Sequence, residues 1–248
     1  MRLAGKVAIV TGGGSGFGAG IVQAFADEGA RVLVVDRDGA AAERVAAAIG
    51  ASARAFTADV SRAAEVEAMV DAAQREHGRL DIVVNNAGVG HLPAPLETID
   101  DETFDRIAAV NMRAIYLAAR YAVPLFKAAR AGVILNIAST GGVSPRPNLT
   151  WYNASKAWVI GATRGMAIEL APFGVRVNAI NPVAGETPLL ATFMGGDTEE
   201  NRKRFVGSIP LGRLSTPHDI AMAAVFLCSD EASLVTGIAM EVDGGRCI

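Results

Sequence analysis

Cysteine is scarce. Cys228 and Cys247 are the only two among 248 residues. That excludes a disulfide framework, and no Cys/His cluster has metal-site spacing, so no metal is expected and a reducing compartment is. Charge of one sign is also missing. Lys and Arg total 23 against 26 Asp and Glu, a net charge of −3. A protein that neutralises nucleic-acid phosphates would be strongly basic, so nucleic acid is not an expected partner. No block of like charges forms a tail. No apolar run approaches the ~18 residues that span a bilayer. The opening segment, MRLAGKVAIV, enters a strand pattern at once and has no signal-peptide apolar region. A cytoplasmic location, with no membrane partner, is the expectation.

Apolar residues are plentiful, at 51%, enough for a sizeable core. Continuous apolar, β-branched runs occur at Val7–Thr11, Arg31–Asp36, Ala53–Thr57, Ile82–Asn85, Val133–Ala138, Val175–Asn181 and Ala239–Val242. Between them lie helical patterns near 16–29, 39–49, 62–77, 100–130, 151–172 and 217–229. Apolar strands alternating with helices predict a parallel sheet covered on both faces. Right-handed crossovers then make it a doubly wound, Rossmann-like α/β fold of seven strands. The segment 182–210 is rich in Gly, Pro and Thr and reads as an irregular lid beyond the sixth strand. Ligands of such folds bind beyond the carboxyl ends of the strands.

The stretch TGGGSGFGAG, Thr11 to Gly20, lies between the first strand and the first helix. That context argues against a flexible linker. A mononucleotide P-loop would carry Gly-Lys-Ser/Thr, and no lysine follows these glycines. What remains is a cradle of backbone N–H groups for a dinucleotide pyrophosphate. Asp36 closes the second strand, 20 residues beyond Gly16. A carboxylate there accepts hydrogen bonds from adenosine ribose hydroxyls and repels a 2′-phosphate, which favours NAD over NADP. The uncharged Ser15 agrees, whereas Arg37 is the residue that would suit NADP.

Thr11-Gly12-x-x-x-Gly16-x-Gly18, Asp59-Val60, NNAG at Asn85 to Gly88, NIAST around Ser139 and YNASK from Tyr152 to Lys156 stand in order along the chain. Together with Asn111 they resemble the short-chain dehydrogenase/reductase family from about residue 5 to 245. The resemblance implies one dinucleotide-binding and catalytic domain over 1–248. It also implies a catalytic tetrad of Asn111, Ser139, Tyr152 and Lys156, a small-molecule alcohol or carbonyl substrate, and a homotetramer. The cofactor, NAD, would be held by Gly12, Ser15, Gly16, Phe17, Gly18, Asp36, Asp59, Val60, Asn86, Ala87, Gly88, Tyr152, Lys156, Pro182, Gly185 and Thr187. One departure stands out. The family's Pro-Gly after the sixth strand is here NPVAGETPLL, with Val183 in the glycine's place. That segment, with LTWYNASK, IPLGR and EVDGGRCI, resembles a narrower branch, the sulfobenzyl alcohol dehydrogenases of toluenesulfonate degradation.

Oxidising an alcohol requires a base for the hydroxyl proton while hydride departs. Tyr152 and Lys156 are i, i+4 on one helical face. A lysine cation and a cationic nicotinamide would both lower a phenol whose ordinary pKa is about 10. Tyr152 is then general base for oxidation and general acid for reduction. Ser139 would hold the substrate oxygen, and the resemblance implies that Asn111 holds a water linking Lys156 to solvent. No histidine sits in a Ser-His-Asp pattern and no G-x-S-x-G elbow occurs, which disfavours a hydrolase.

Gly90, His91, Gly141, Val143, Trp151, Val183, Leu189, Phe193 and Met194 are candidates to face the substrate. They are mostly apolar and suit a hydrophobic or aryl alcohol. His91 and Arg146 are candidates to meet an anionic group, against a plainer reading as loop residues. The alternatives are an NADPH-linked 3-oxoacyl-carrier-protein reductase and a catalytically idle dinucleotide-binding regulator.

Overall fold

The computed structural model describes residues 1–248. Seven strands form one parallel sheet: β1 (Val7–Thr11), β2 (Arg31–Asp36), β3 (Ala53–Thr57), β4 (Ile82–Asn85), β5 (Gly132–Ile137), β6 (Val175–Pro182) and β7 (Ala239–Val242). Their order is β3-β2-β1-β4-β5-β6-β7. The strands lie within a residue of their predicted bounds because fully buried parallel strands leave the plainest sequence signal.

Successive side chains of each strand enter opposite cores. Ala8, Val10, Val32, Val34, Ile82 and Val84 pack with α1 (Gly16–Asp27), α2 (Gly39–Ile49) and α9 (Pro217–Cys228). Val7, Ile9, Leu33, Val35 and Val83 pack with α3 (Ala63–His77), α5 (Ala114–Ala129) and α6 (Thr150–Leu170). This period of two on a sheet covered twice explains why the strands read as unbroken apolar runs.

The order reverses between β1 and β4, which pair in parallel from Ala8↔Ile82 to Val10↔Val84. Chains leave these neighbours in opposite directions, so a crevice opens at their carboxyl ends. The glycine stretch follows β1 and Asn86-Ala87-Gly88 follows β4, so both motifs meet at that crevice.

Two predicted segments differ from the structure. The helical pattern at 100–130 is not one regular helix. It comprises α4 (Asp101–Ile107), a π-helical turn at Ala108–Arg113, and α5. The extra residue per turn changes the face that Asn111 presents, and a periodicity of 3.6 does not reveal it. The 182–210 segment is also more regular than expected. It holds α7 (Leu189–Met194) and α8 (Glu199–Val206). Thr198 caps α8 by accepting from Asn201 N at 3.2 Å, with Glu199 and Glu200 in the first turn and Lys203 and Arg204 in the last. The cap and this order of charges favour a regular helix despite the surrounding Gly and Pro.

Candidate active site

The glycine stretch is shaped by its lack of side chains at defined points. Gly12 and Gly16 have φ of +64° and +52°, the left-handed region that other residues adopt at a cost. A Cβ at Gly18 would be driven into the Gly12 carbonyl oxygen, so α1 can approach β1 this closely only with glycine there. Ser15 is the N-cap of α1, yet its side chain makes no cap hydrogen bond. First-turn amides therefore remain free for an anion. Across the crevice, Thr11 Oγ1 accepts from Asn86 N and Ala87 N, both at 3.1 Å. Asn86 Nδ2 donates to the Thr11 and Gly12 carbonyls at 2.9 and 3.1 Å. The two motifs are thus one hydrogen-bonded unit.

Asp36 closes β2 with its carboxylate fixed by two backbone donors, Gly14 N and Asp38 N, each at 3.0 Å. Asp59 accepts from Ser61 N at 2.9 Å and Ser61 Oγ at 2.7 Å. Partial burial works against its charge, but the Ser61 hydrogen bonds and the Arg62 and Arg37 cations outweigh it and hold its pKa below the ordinary carboxylate value.

A cavity of about 770 Å³ runs along these groups. Gly12, Ser15, Gly16, Phe17, Asp36, Asp59, Val60, Asn86, Ala87, Gly88, Ser139, Tyr152, Lys156, Pro182, Gly185 and Thr187 all line it. Gly18 and Asn111 do not. Gly18 packs behind the cradle, and Asn111 is buried beneath the loop after β4. The left-handed glycines, the free amides of α1 and the anchored carboxylate of Asp36 fit an extended dinucleotide along this wall. Gly185 has its own reason. A Cβ there would collide with the Phe17 ring and Ser215 Oγ, so the glycine displaced by Val183 is supplied two residues later. Val183 joins Leu190, Met194, Phe205, Ile209 and Leu214 in a small core that holds the lid together.

At the other end of the cavity, Ser139 follows β5 and its Oγ accepts from Gly141 N at 3.0 Å. Tyr152 and Lys156 share the buried face of α6. Lys156 Nζ donates to the Ile137 carbonyl at 2.8 Å and lies 5.9 Å from the Tyr152 ring centroid. Burial pushes Lys156 down to about 8. Burial also pushes Tyr152 up to about 12, with the Ser139 hydroxyl acting in the opposite direction. The expected lowering of the tyrosine is therefore not supplied by Lys156 alone: its ammonium is turned to Ile137, and the desolvation of the phenol wins.

Asn111 sits in the π-helical turn. Its Oδ1 accepts from Val89 N at 2.9 Å, and its Nδ2 donates to the Val89 carbonyl at 2.9 Å and to Ser155 Oγ at 3.0 Å. Both amide hydrogens are committed, so this side chain ties the loop after β4 to α6.

Among the candidates to face the substrate, Gly90, His91, Gly141, Arg146, Val183, Leu189 and Phe193 line the cavity. Phe193 stacks on Tyr152 with ring centroids 4.6 Å apart. Three do not reach it. Val143 is exposed, Met194 is buried in the lid core, and Trp151 is turned away, edge-on to Phe104 with Nε1 donating to the Leu96 carbonyl at 3.0 Å. Adjacency to Tyr152 misleads for Trp151 because neighbours on a helix diverge by about 100°. Unforeseen parts are the Ile137 carbonyl and a buried chain in which Asn85 donates to Asn136 and Asn136 to Thr163, each at 2.9 Å. The register pair Asn85↔Asn136 that aligns them is a pairing of distant strands.

A family model described as enoyl-(acyl carrier protein) reductase matches residues 12–246. The 4-formylbenzenesulfonate dehydrogenase of Comamonas testosteroni is 49% identical over 252 residues, covering 100% of both chains. The galactitol 2-dehydrogenase of Agrobacterium fabrum is 39% identical, covering 99% of each. The crystal structure of a 3-ketoacyl-(acyl-carrier-protein) reductase from Brucella melitensis complexed with NADH is 56% identical, with a TM-score of 0.95, covering 99% of this chain and 100% of that one. No helix is long and apolar enough to cross a membrane. The sheet order, the cradle at its reversal and these relatives lead to one conclusion: this chain belongs to the short-chain dehydrogenase/reductase family and is an oxidoreductase of alcohols and their carbonyl counterparts.

Proposed function

We propose that this enzyme is an NAD(H)-dependent dehydrogenase of secondary or benzylic-type alcohols, or reductase of their carbonyls, with Tyr152 as general acid and base. The observation that carries the reading is one cavity wall that joins Asp36 at one end to Ser139, Tyr152 and Lys156 at the other. When bound, the nicotinamide dinucleotide accepts or supplies the hydride. Gly12, Ser15, Gly16 and Phe17 hold its pyrophosphate side, Asp36 its adenosine ribose, Asp59 and Val60 its adenine, and Asn86 to Gly88 wall it. Pro182, Gly185 and Thr187 close it from the lid side, and Lys156 orients its nicotinamide ribose.

Ser139 Oγ anchors the substrate oxygen near the Tyr152 hydroxyl. A tyrosine pushed up to about 12 keeps its proton at neutral pH and is a donor for carbonyl reduction. For oxidation it must lose that proton, which requires nearby positive charge, and Lys156 is the chain's own source. Asn111 positions the loop after β4 and α6 relative to each other. The apolar substrate end, with Val183, Leu189 and Phe193, suits an aryl or hydrophobic alcohol, in keeping with the aryl substrate in the name of the Comamonas relative.

The choice of NAD rests on the Asp36 carboxylate. Arg37 makes no ion pair and bears electrostatically on Asp59. A homotetramer is proposed from α6, where Ala154, Ala157, Gly161 and Gly165 are exposed beside Trp158, a small-residue face suited to close helix packing. A second reading, 3-oxoacyl-carrier-protein reductase, is favoured by the name of the Brucella structure.

The test is NADH absorbance with benzyl, alicyclic, sugar and β-hydroxyacyl substrates, each with NAD and NADP. Turnover of benzylic or secondary alcohols with NAD is expected. Activity confined to β-ketoacyl thioesters with NADPH would establish the second reading, and no turnover with any would overturn both.

A further inference from the structure

Arg146 follows β5 on the loop leading into α6 and lines the substrate end of the cavity. Its surroundings are unusual for an arginine. The guanidinium lies 4.2 Å over the Phe205 ring, and Nη2 donates to Ser208 Oγ at 3.1 Å. Both partners are neutral. Burial, together with the Arg246 and Arg204 cations, disfavours its charge. None of the ion pairs in the structure involves Arg146, Arg204 or Arg246. A partly buried guanidinium that feels two other cations and has no ion pair of its own is costly unless something anionic joins it.

His91 adds a second polar group. It lines the same cavity and is 6% exposed. Its Nδ1 lies 2.7 Å from the Leu92 carbonyl, which can only accept, so Nδ1 carries a proton. Its Nε2 is buried with no hydrogen-bond partner. With the proton on Nδ1, this nitrogen is an acceptor available to a donor that enters the cavity. The two loops are held together, since Ala94 N donates to the Asn148 carbonyl at 3.0 Å.

We propose that Arg146 forms a subsite for an anionic group of the substrate, a sulfonate or a carboxylate, remote from the reacting carbon, while His91 Nε2 on the same cavity accepts a hydrogen bond from a neutral N–H or O–H donor. The enzyme then selects alcohols and aldehydes that carry such a group on an apolar body. Phe205 and Ser208 hold the guanidinium in place, so its fork is ordered before the anion arrives. This rests on the alcohol dehydrogenase reading above and adds the substrate's charge.

The experiment compares kcat/KM for 4-(hydroxymethyl)benzenesulfonate, 4-(hydroxymethyl)benzoate and the neutral 4-methylbenzyl alcohol. A charge-assisted pair predicts a preference of about tenfold or more for at least one anion. Arg146→Met, which keeps an alkyl stem over Phe205, should abolish that preference through KM more than kcat, and Arg146→Lys should restore part of it. Calorimetric binding of 4-methylbenzenesulfonate should weaken by about tenfold in Arg146→Met. Wild-type indifference to the anion, or an equal loss on all three alcohols with unchanged sulfonate binding, would make Arg146 a lid staple and overturn the subsite. Because the calorimetry requires no turnover, sulfonate binding that depends on Arg146 sustains the subsite even where every alcohol is inert, and that inertness would count against the dehydrogenase reading alone.

Discussion

Replacing Lys156 with methionine removes a charge from a place where the fold offers it little. The side chain is 5% exposed, its one protein partner is the Ile137 carbonyl, and its pKa falls from 10.5 to about 8. Below pH 8 the lysine is protonated in both folded and unfolded states, and the folded state carries the whole desolvation penalty. Between 8 and 10.5 the unfolded chain binds the extra proton, so stability rises with pH, and above 10.5 the penalty is gone. The gap amounts to roughly 3 kcal/mol. Methionine also leaves the Ile137 carbonyl without this partner, a loss of about 1 kcal/mol. The variant should therefore be more stable than wild type by roughly 2 kcal/mol near pH 6.5, and by much less near pH 9.5. Urea unfolding of both proteins without cofactor, at equal concentration and at the two pH values, gives the difference directly. Tyr152 titrates in both proteins and cancels. A difference that is the same at both pH values, or a variant less stable at pH 6.5, would refute a buried lysine of lowered pKa.

Tyr152→Phe should abolish turnover while NADH binding, followed by fluorescence, stays within about threefold of wild type, since the ring that packs on Phe193 remains. Asp36→Ala should shift the NAD-to-NADP ratio of kcat/KM towards NADP by about tenfold or more, because a repelling carboxylate is removed; steady-state kinetics with both cofactors checks it. Gly18→Ala should lower the unfolding free energy by about 2 kcal/mol or more, read from urea melts, as the new methyl meets the Gly12 carbonyl. Val183→Gly should raise KM more than it lowers kcat over an alcohol panel, because it opens a cavity in the lid core and leaves Tyr152 and Lys156 in place.

The sequence by itself determined the sheet and most of the cofactor wall. Apolar runs with two-sided burial need no partner to be recognised, and glycines at a strand–helix turn report a local backbone requirement. Tyr152 and Lys156 share a face because four residues make about one helical turn. What lay beyond local pattern was decided by packing. The π-helical turn that rotates Asn111 inward, the outward turn of Trp151 and the burial that moves Tyr152 up and Lys156 down arise from contacts between distant segments. Arg146 is the sharpest case. In the sequence it is a candidate to meet an anionic group, with a plain loop arginine as the other reading. Only the tertiary structure places it on a cavity wall over Phe205, under the influence of two other arginines and without an ion pair of its own, because charge balance over a whole chain says nothing about balance at a point.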